Sequence, residues 1–341
     1  MIELDEEKRI ILETVRKIAA KEIGPRAAEL DERAGFPEYA LATFAENGVL
    51  NPLLPDEYGG VQASFLMFSL ILEEIARVCA SSALLLIAQA DGMLPVLHGG
   101  SKLLKEKYLT RLGGDSQQLT ALAATEPSAG SDLISMRTRA VKKGDRYIVN
   151  GQKCFITNGS VADFFVLYAY TQPEKKARGI SAFVVEKGSS GLVYGKNENK
   201  MGMRGSINSE LFFEDMEVPE ENLLGAEGKG FVNLMHTLAM SRLFCASQAV
   251  GIARGALEEA VNYAQQRIQF GKPLAALAPI QFMVADMAAA VESSRLLTHR
   301  AAQLFDSGDH EQAGVVAAMA KFTASDSAMR VTTDAVQILG G

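Results

Sequence analysis

Thr125-Glu126-Pro127-Ser128-Ala129-Gly130-Ser131-Asp132 and, downstream, Phe155-Ile156-Thr157-Asn158-Gly159 decide the reading of this chain. The first follows an apolar, strand-like run, Leu119-Thr120-Ala121-Leu122-Ala123-Ala124, and ends it with hydroxyls, a proline turn and a glycine. Such a turn exposes backbone N–H groups beside side-chain hydroxyls, which suits a flat polar ring and a phosphate. The second closes another strand with a hydroxyl beside an aromatic. Each alone reads more readily as an ordinary strand-ending turn.

Outward from these stretches the texture changes twice. From about 119 to 217 the chain shows short β-branched and aromatic runs between turns, such as Tyr147-Ile148-Val149-Asn150-Gly151, Phe164-Phe165-Val166-Leu167-Tyr168 and Ile180-Ser181-Ala182-Phe183-Val184-Val185. Before them lies helical periodicity. Residues 4 to 23 place Ile10, Ile11, Val15, Ile18 and Ala19 on one stripe, and Pro25 is expected to end that helix. Further helical patterns cover roughly 38 to 47, 62 to 78, 81 to 98 and 102 to 112. From about 227 the helical period returns to the end. Helices, then a β region, then helices argue α+β rather than alternating α/β. No G-x-G-x-x-G follows a strand, which argues against a Rossmann nucleotide fold.

The chain has 341 residues, 48% of them hydrophobic, enough for two or three cores. Its net charge of -7 comes without a basic stripe, which argues against nucleic-acid binding. Cys79, Cys154 and Cys245 have no metal spacing and read as small buried residues in a reducing compartment. His98, His236, His299 and His310 also lack ligand spacing, so no metal site is expected. The acidic start (Glu3, Asp5, Glu6, Glu7) is unlike a signal or transit peptide. The longest apolar run, near 83 to 88, is too short to span a bilayer, so the expected location is cytoplasmic.

Seven segments in order resemble the acyl-CoA dehydrogenase family. They are Leu54-Pro55-Asp56-Glu57-Tyr58-Gly59-Gly60, the Thr125 to Asp132 run, and Gly151-Gln152-Lys153 leading to Phe155-Ile156-Thr157-Asn158-Gly159. They continue with Lys200-Met201-Gly202-Met203-Arg204-Gly205-Ser206, Val218-Pro219-Glu220-Glu221-Asn222-Leu223-Leu224-Gly225, Arg267-Ile268-Gln269-Phe270-Gly271-Lys272-Pro273 and Gln337-Ile338-Leu339-Gly340-Gly341. The resemblance implies an N-terminal helical domain (1–118), a middle β domain (119–226) and a C-terminal four-helix bundle (227–341) whose last part lies beyond this sequence. It also implies FAD. Residues 122 to 131, including Leu122, Ala124, Thr125, Gly130 and Ser131, would wrap the ring and pyrophosphate. Thr125 and Thr157 would hydrogen-bond the ring, and Phe155 and Ile156 would lie beside it; many family members use Trp where this chain has Phe155. Arg267, Gln269, Phe270, Gln337, Gly340 and Gly341 would serve the FAD of a neighbouring subunit, which implies an oligomer, a homotetramer in the family. Ser131 and Arg242 would meet the CoA thioester, and an electron-transfer flavoprotein would take the electrons. Departures occur at Ala239, where the family often has an acid, and at Leu277 and Ala278, where it often has FAD contacts.

The resemblance leaves the proton acceptor open. The family places its catalytic glutamate either just before the substrate-helix arginine, which here is Ser241, or in a segment after Gly341. A serine cannot serve as that base without its own activator. Asp91 is the other acid that stands out. On a helix it shares a face with Leu84, Ile87, Ala88, Leu94 and Pro95, so burial would raise its pKa toward that of a useful base. The competing reading is that Gly92 ends the helix and leaves Asp91 exposed. In the family this helix lines the acyl cavity, and small Ala88, Ala90 and Gly92 would suit a compact ring. A displaced base suits an α,β-unsaturated cyclic thioester, whose α ring carbon has no hydrogen to lose. Removing the vinylogous proton, with hydride leaving from the ring carbon across the α-carbon, is a 1,4-elimination to a conjugated diene. The rival expectations are ordinary 1,2-dehydrogenation of an aliphatic or cyclohexane-carboxyl thioester by a glutamate beyond residue 341, and a non-catalytic flavin- or CoA-binding scaffold. Glu126 and Asp132 read as turn and salt-bridge groups.

Overall fold

Hydroxyl and carboxylate caps set where several helices begin. The computed structural model describes residues 5–340, so Glu3 and Gly341 lie outside it. Asp5 caps α1 (Glu6–Ile18) by accepting the Lys8 N–H. Two short helices follow, α2 (Ala27–Arg33) and α3 (Glu38–Glu46). Ser64 caps α4 (Phe65–Ala76) through the Met67 N–H, which is why that helix starts later than its apolar pattern. Next come α5 (Ala80–Gly99) and α6 (Lys102–Leu109), the latter capped by Ser101. After the strands lie α7 (Gly230–Gln266), α8 (Ala278–Asp306) and α9 (His310–Leu339).

Two sequence expectations are corrected and one competing reading is set aside. Ile10 is exposed, and Leu12, Val15 and Ile18 form the buried stripe of α1, continued by Ala19 just beyond it. Ile10 precedes Val15 by five residues, which turns it about 140° away on a helix of 3.6 residues per turn. Pro25 does not end the helical course: a π turn (Ala19–Ile23) and a 3-10 turn (Gly24–Arg26) carry the chain into α2, with Pro25 in a first turn where its missing N–H costs little. Gly92 does not end α5, which runs unbroken through Pro95 to Gly99. Twenty residues long, α5 is apolar enough to cross a bilayer, yet most of it is buried inside the protein as a core helix.

The chain forms two compact units. One comprises the segment ending at Ala28, Ala63–Ala83 and the chain from Ala239 onward. In it Glu73 and Glu74 of α4 are buried. Glu73 meets Arg254 of α7 and Arg295 and His299 of α8, while Glu74 meets Arg16 of α1. Burial opposes the Glu73 charge, but the His299 hydrogen bond and the Arg254 and Arg295 cations hold its carboxyl below the usual value. The Asp306 carboxylate accepts the Phe65 and Leu66 N–H groups, at 2.6 and 3.0 Å, at the start of α4.

The other unit, Glu29–Gln62 and Leu84–Leu238, holds the sheet. Its strands are β1 (Thr120–Ala123), β2 (Arg139–Lys143), β3 (Arg146–Thr157), β4 (Phe164–Tyr170), β5 (Ile180–Glu186), β6 (Leu192–Asn197) and β7 (Asn208–Pro219). They run in the order β1-β4-β2-β3-β7-β6, with β5 also on β4. The β1–β4 pair is parallel and β2–β3, β3–β7, β4–β5 and β6–β7 are antiparallel. The core gathers Val149, Ile156, Phe165, Leu167, Phe183, Leu211 and Phe213.

Within this unit α5 is locked to β1. Gln89 accepts the Thr120 N–H at 2.9 Å, and the Thr120 hydroxyl donates to the Gln89 carbonyl at 2.8 Å. A Cβ on Gly92 would lie 2.5 Å from Thr120 Oγ1 and 2.7 Å from the Ala121 nitrogen. Gly92 is therefore spent on helix–strand contact and gives no room to a ring. Gly92→Ala is expected to destabilise the protein by about 1–3 kcal/mol, because overpacking outweighs the gain in helix propensity; denaturant unfolding measures this.

Candidate active site

The first flavin-like stretch leaves β1 and turns tightly. Glu126 and Ala129 exchange backbone hydrogen bonds of 3.0 Å, leaving Pro127 and Ser128 at an exposed tip. The turn is held from below. Lys153 of β3 is fully buried, and its ammonium donates to the Ala124 carbonyl and to Glu126 Oε1, both at 2.8 Å. Glu126 also accepts the Arg137 and Thr138 N–H groups, at 2.6 and 3.0 Å. Burial works against both charges. It pulls the Lys153 ammonium down to about 8 despite the carboxylate beside it. For Glu126 the Lys153 charge and the Thr138 and Arg137 donors outweigh burial and hold the carboxyl below its usual value. The Cys154 N–H donates to the Thr125 carbonyl at 3.0 Å. Beyond this anchored stem Gly130, Ser131 and Asp132 are exposed, and nothing lies within 4 Å of where a Gly130 Cβ would be.

The second stretch owes its shape to a bulge. The β3–β7 register slips between Lys153 and Ile156, and Phe155 takes a positive φ of 56° and is 61% exposed. A phenylalanine in the left-handed region is a strained outlier, and such strain gathers at binding sites. Asn208 opposes Thr157 across the two strands. Its amide N–H groups reach the Phe155 carbonyl at 3.2 Å and Thr157 Oγ1 at 3.0 Å. Among the described residues the Thr157 hydroxyl proton has no acceptor. Asn158, also at positive φ, donates from its amide to the Thr120 carbonyl at 3.3 Å. Thr120 thus joins α5, β1 and the second stretch.

These features fit a flavin. The exposed, backbone-locked aromatic offers a stacking face. The Thr157 proton suits a ring nitrogen or oxygen, and the open Gly130 admits a phosphate to backbone N–H groups. Thr125, Thr157 and Leu122 are half-buried. Ala124, just past β1, and Ile156, in β3, are buried and would offer a ligand backbone groups only.

Asp91 lies in the middle of α5, half-buried, with Oδ1 shielded from solvent. Pro95 has no N–H to give the Asp91 carbonyl, so the helix lacks one rung at this residue. Burial, and then the Asp91 carboxylate, push the Tyr168 phenol far above its usual range. Tyr168 stays protonated and donates to Asn233 Oδ1 at 2.8 Å, while the Asn233 amide donates to the Pro95 carbonyl at 3.1 Å. His98 and His236 meet edge to face at 5.1 Å, so two of the scattered histidines come together.

The remaining expected site residues belong to the first-described unit. Ser241 is buried and Arg242 exposed on α7. Arg267 is exposed and follows α7 at the base of a two-stranded ribbon, β8 (Ile268–Gln269) and β9 (Lys272–Pro273). Phe270 at its tip is 88% exposed. Gln337 and Gly340 are exposed at the end of α9. The sequence reading missed Gln89, Thr120, Tyr168, Asn208 and Asn233. Only Gln89 carried a signal, as a polar residue two before Asp91 in an apolar run.

Three sequence models match in order: "Acyl-CoA dehydrogenase, N-terminal domain" over residues 5–114, "middle domain" over 121–216 and "C-terminal domain" over 228–341. A cyclohex-1-ene-1-carbonyl-CoA dehydrogenase of Geobacter metallireducens is 67% identical over the whole chain and 90% of its own length. A protein of the same name from Syntrophus aciditrophicus is 60% identical over the whole chain and 82% of its own length. The solved structure of butyryl-CoA dehydrogenase from Megasphaera elsdenii superposes with a TM-score of 0.96 at 39% identity, covering 100% of this chain and 90% of that one.

Proposed function

The chain belongs to the acyl-CoA dehydrogenase family, and from that premise we propose that it dehydrogenates cyclohex-1-ene-1-carboxyl-CoA to a cyclic conjugated diene thioester, with Asp91 as the proton acceptor. It is an FAD-dependent oxidoreductase acting on a CoA thioester. The observation that carries the finer reading is a carboxylate at the middle of an unbroken apolar helix, in a chain that has Ser241 before Arg242. The names of the two relatives support the same substrate.

When bound, FAD supplies the hydride acceptor. Thr125 and Thr157 would orient its ring, Phe155 would offer it a stacking face, and Gly130 and Ser131 would hold the pyrophosphate. Asp91 takes the proton from the vinylogous carbon. The hydride departs from the ring carbon on the far side of the α-carbon, the existing double bond shifts, and a second one forms. Tyr168 is a fixed dipole beside Asp91 and not a rival base, because its proton is held far above neutral pH. Arg242 would meet the CoA moiety. An electron-transfer flavoprotein is the proposed acceptor and a homotetramer the proposed assembly. Phe282, Phe322 and Met329 are exposed in a single chain, which supports an interface on α8 and α9.

Anaerobic mixing of the FAD-loaded protein with a panel of CoA thioesters tests the substrate. Flavin bleaching with cyclohex-1-ene-1-carboxyl-CoA, and little with butyryl- or cyclohexanecarboxyl-CoA, is expected. The reverse order would mean ordinary 1,2-dehydrogenation, and no bleaching with any thioester would mean a scaffold.

A further inference from the structure

We infer that Lys200 and Asn208 are positioning residues that fix the direction of the Thr157 hydroxyl so that its proton faces the flavin ring. The inference rests on the reading that FAD lies against Thr157, and on no assumption about Asp91 or the substrate. Lys200 opens one of the seven segments and has no role in the reaction as described.

The Lys200 ammonium reaches the Ser206 carbonyl at 2.5 Å and one end of the Asn208 side chain at 2.6 Å. An ammonium only donates, so that end of the amide must be the oxygen. The other end reaches the Phe155 carbonyl at 3.2 Å, which only accepts, so it must be the NH2 group. The amide is therefore oriented by two groups that cannot reverse. Its remaining N–H falls on Thr157 Oγ1 at 3.0 Å. Filling that lone pair turns the hydroxyl proton elsewhere, and among the described residues nothing accepts it. Lys200 is half-buried, where its bonds are less screened than in water. A hydroxyl held as a donor to a ring oxygen, or to a ring nitrogen that takes up no proton on reduction, stabilises the ring as it gains electron density, so it favours reduced over oxidised flavin.

Asn208→Asp tests the direction. A carboxylate only accepts, so the Thr157 hydroxyl would turn inward and offer the ring a lone pair. Chemical redox titration of the bound FAD, without thioester, should show the reduced form disfavoured tenfold or more. For a two-electron couple that is a fall of about 30 mV or more. Lys200→Met adds no negative charge at residue 208 and frees the amide to flip; it should move the potential the same way by less. Both shifts should shrink in a Thr157→Val background, by the part of the effect that passes through that hydroxyl. Melting and FAD retention of each variant report whether the fold is intact. An unchanged potential in both single variants, or equal shifts with and without the hydroxyl, overturns the inference. Either result leaves the Asp91 reading standing.

Discussion

Asp91→Asn lowers kcat on cyclohex-1-ene-1-carboxyl-CoA by about 10²–10⁴-fold, the usual contribution of a positioned general base. Asparagine has the same shape and can still donate and accept hydrogen bonds, but it cannot take up the substrate proton. FAD retention, melting and thioester affinity are therefore expected to stay close to wild type, so the loss falls on kcat and not on KM. Asp91→Glu keeps the carboxylate but moves it by one methylene, and an intermediate loss is expected. An asparagine variant with full activity would put the base elsewhere, as in the rival reading of a glutamate beyond residue 341.

Lys153→Met removes the cation from a buried pair and leaves Glu126 charged in the core. Breaking such a pair from one side costs about 3–5 kcal/mol, and here the same atoms hold the turn that carries Thr125, Gly130 and Ser131. Loss of FAD retention and a lowered denaturation midpoint are expected together. The double variant Lys153→Met with Glu126→Gln should lose less than the sum of the singles, because neither partner remains as an uncompensated charge. Glu126 also gives an acid limb. Its folded carboxyl is held below the ordinary value of 4.5, so as pH falls the unfolded chain binds the proton first. The stabilisation is complete above the unfolded value and is lost as pH falls through the lowered folded one. Denaturation of Glu126→Gln across acid pH should show a shallower dependence than wild type; an unchanged slope would mean Glu126 does not carry this limb.

The helical, β and helical segments were legible because their periods differ, and the flavin-like turns because hydroxyls, proline and glycine punctuate strands. Asp91 was legible as a polar break on an apolar stripe. Its ambiguity came from Gly92, whose neighbour is Thr120 of β1, a contact no local pattern contains. Ile10 differs: the helical period itself sets Leu12, and not Ile10, on the face of Val15. Lys153 and Glu126 are 27 residues apart, and Asn208 reaches Thr157 only through the β3–β7 register. Pairings of that kind depend on the sheet, so the anchored underside of the candidate turn could not be read from sequence.

The most direct measurement of the central claim follows one hydrogen. Cyclohex-1-ene-1-carboxyl-CoA, deuterated only at the vinylogous carbon, is turned over once anaerobically, and the label is traced. The account predicts that one deuterium leaves as a solvent-exchangeable cation and the other stays on the diene, with none carried to the flavin, and that Asp91→Asn abolishes this release. Deuterium delivered to the flavin, or release to solvent that persists in Asp91→Asn, would contradict it.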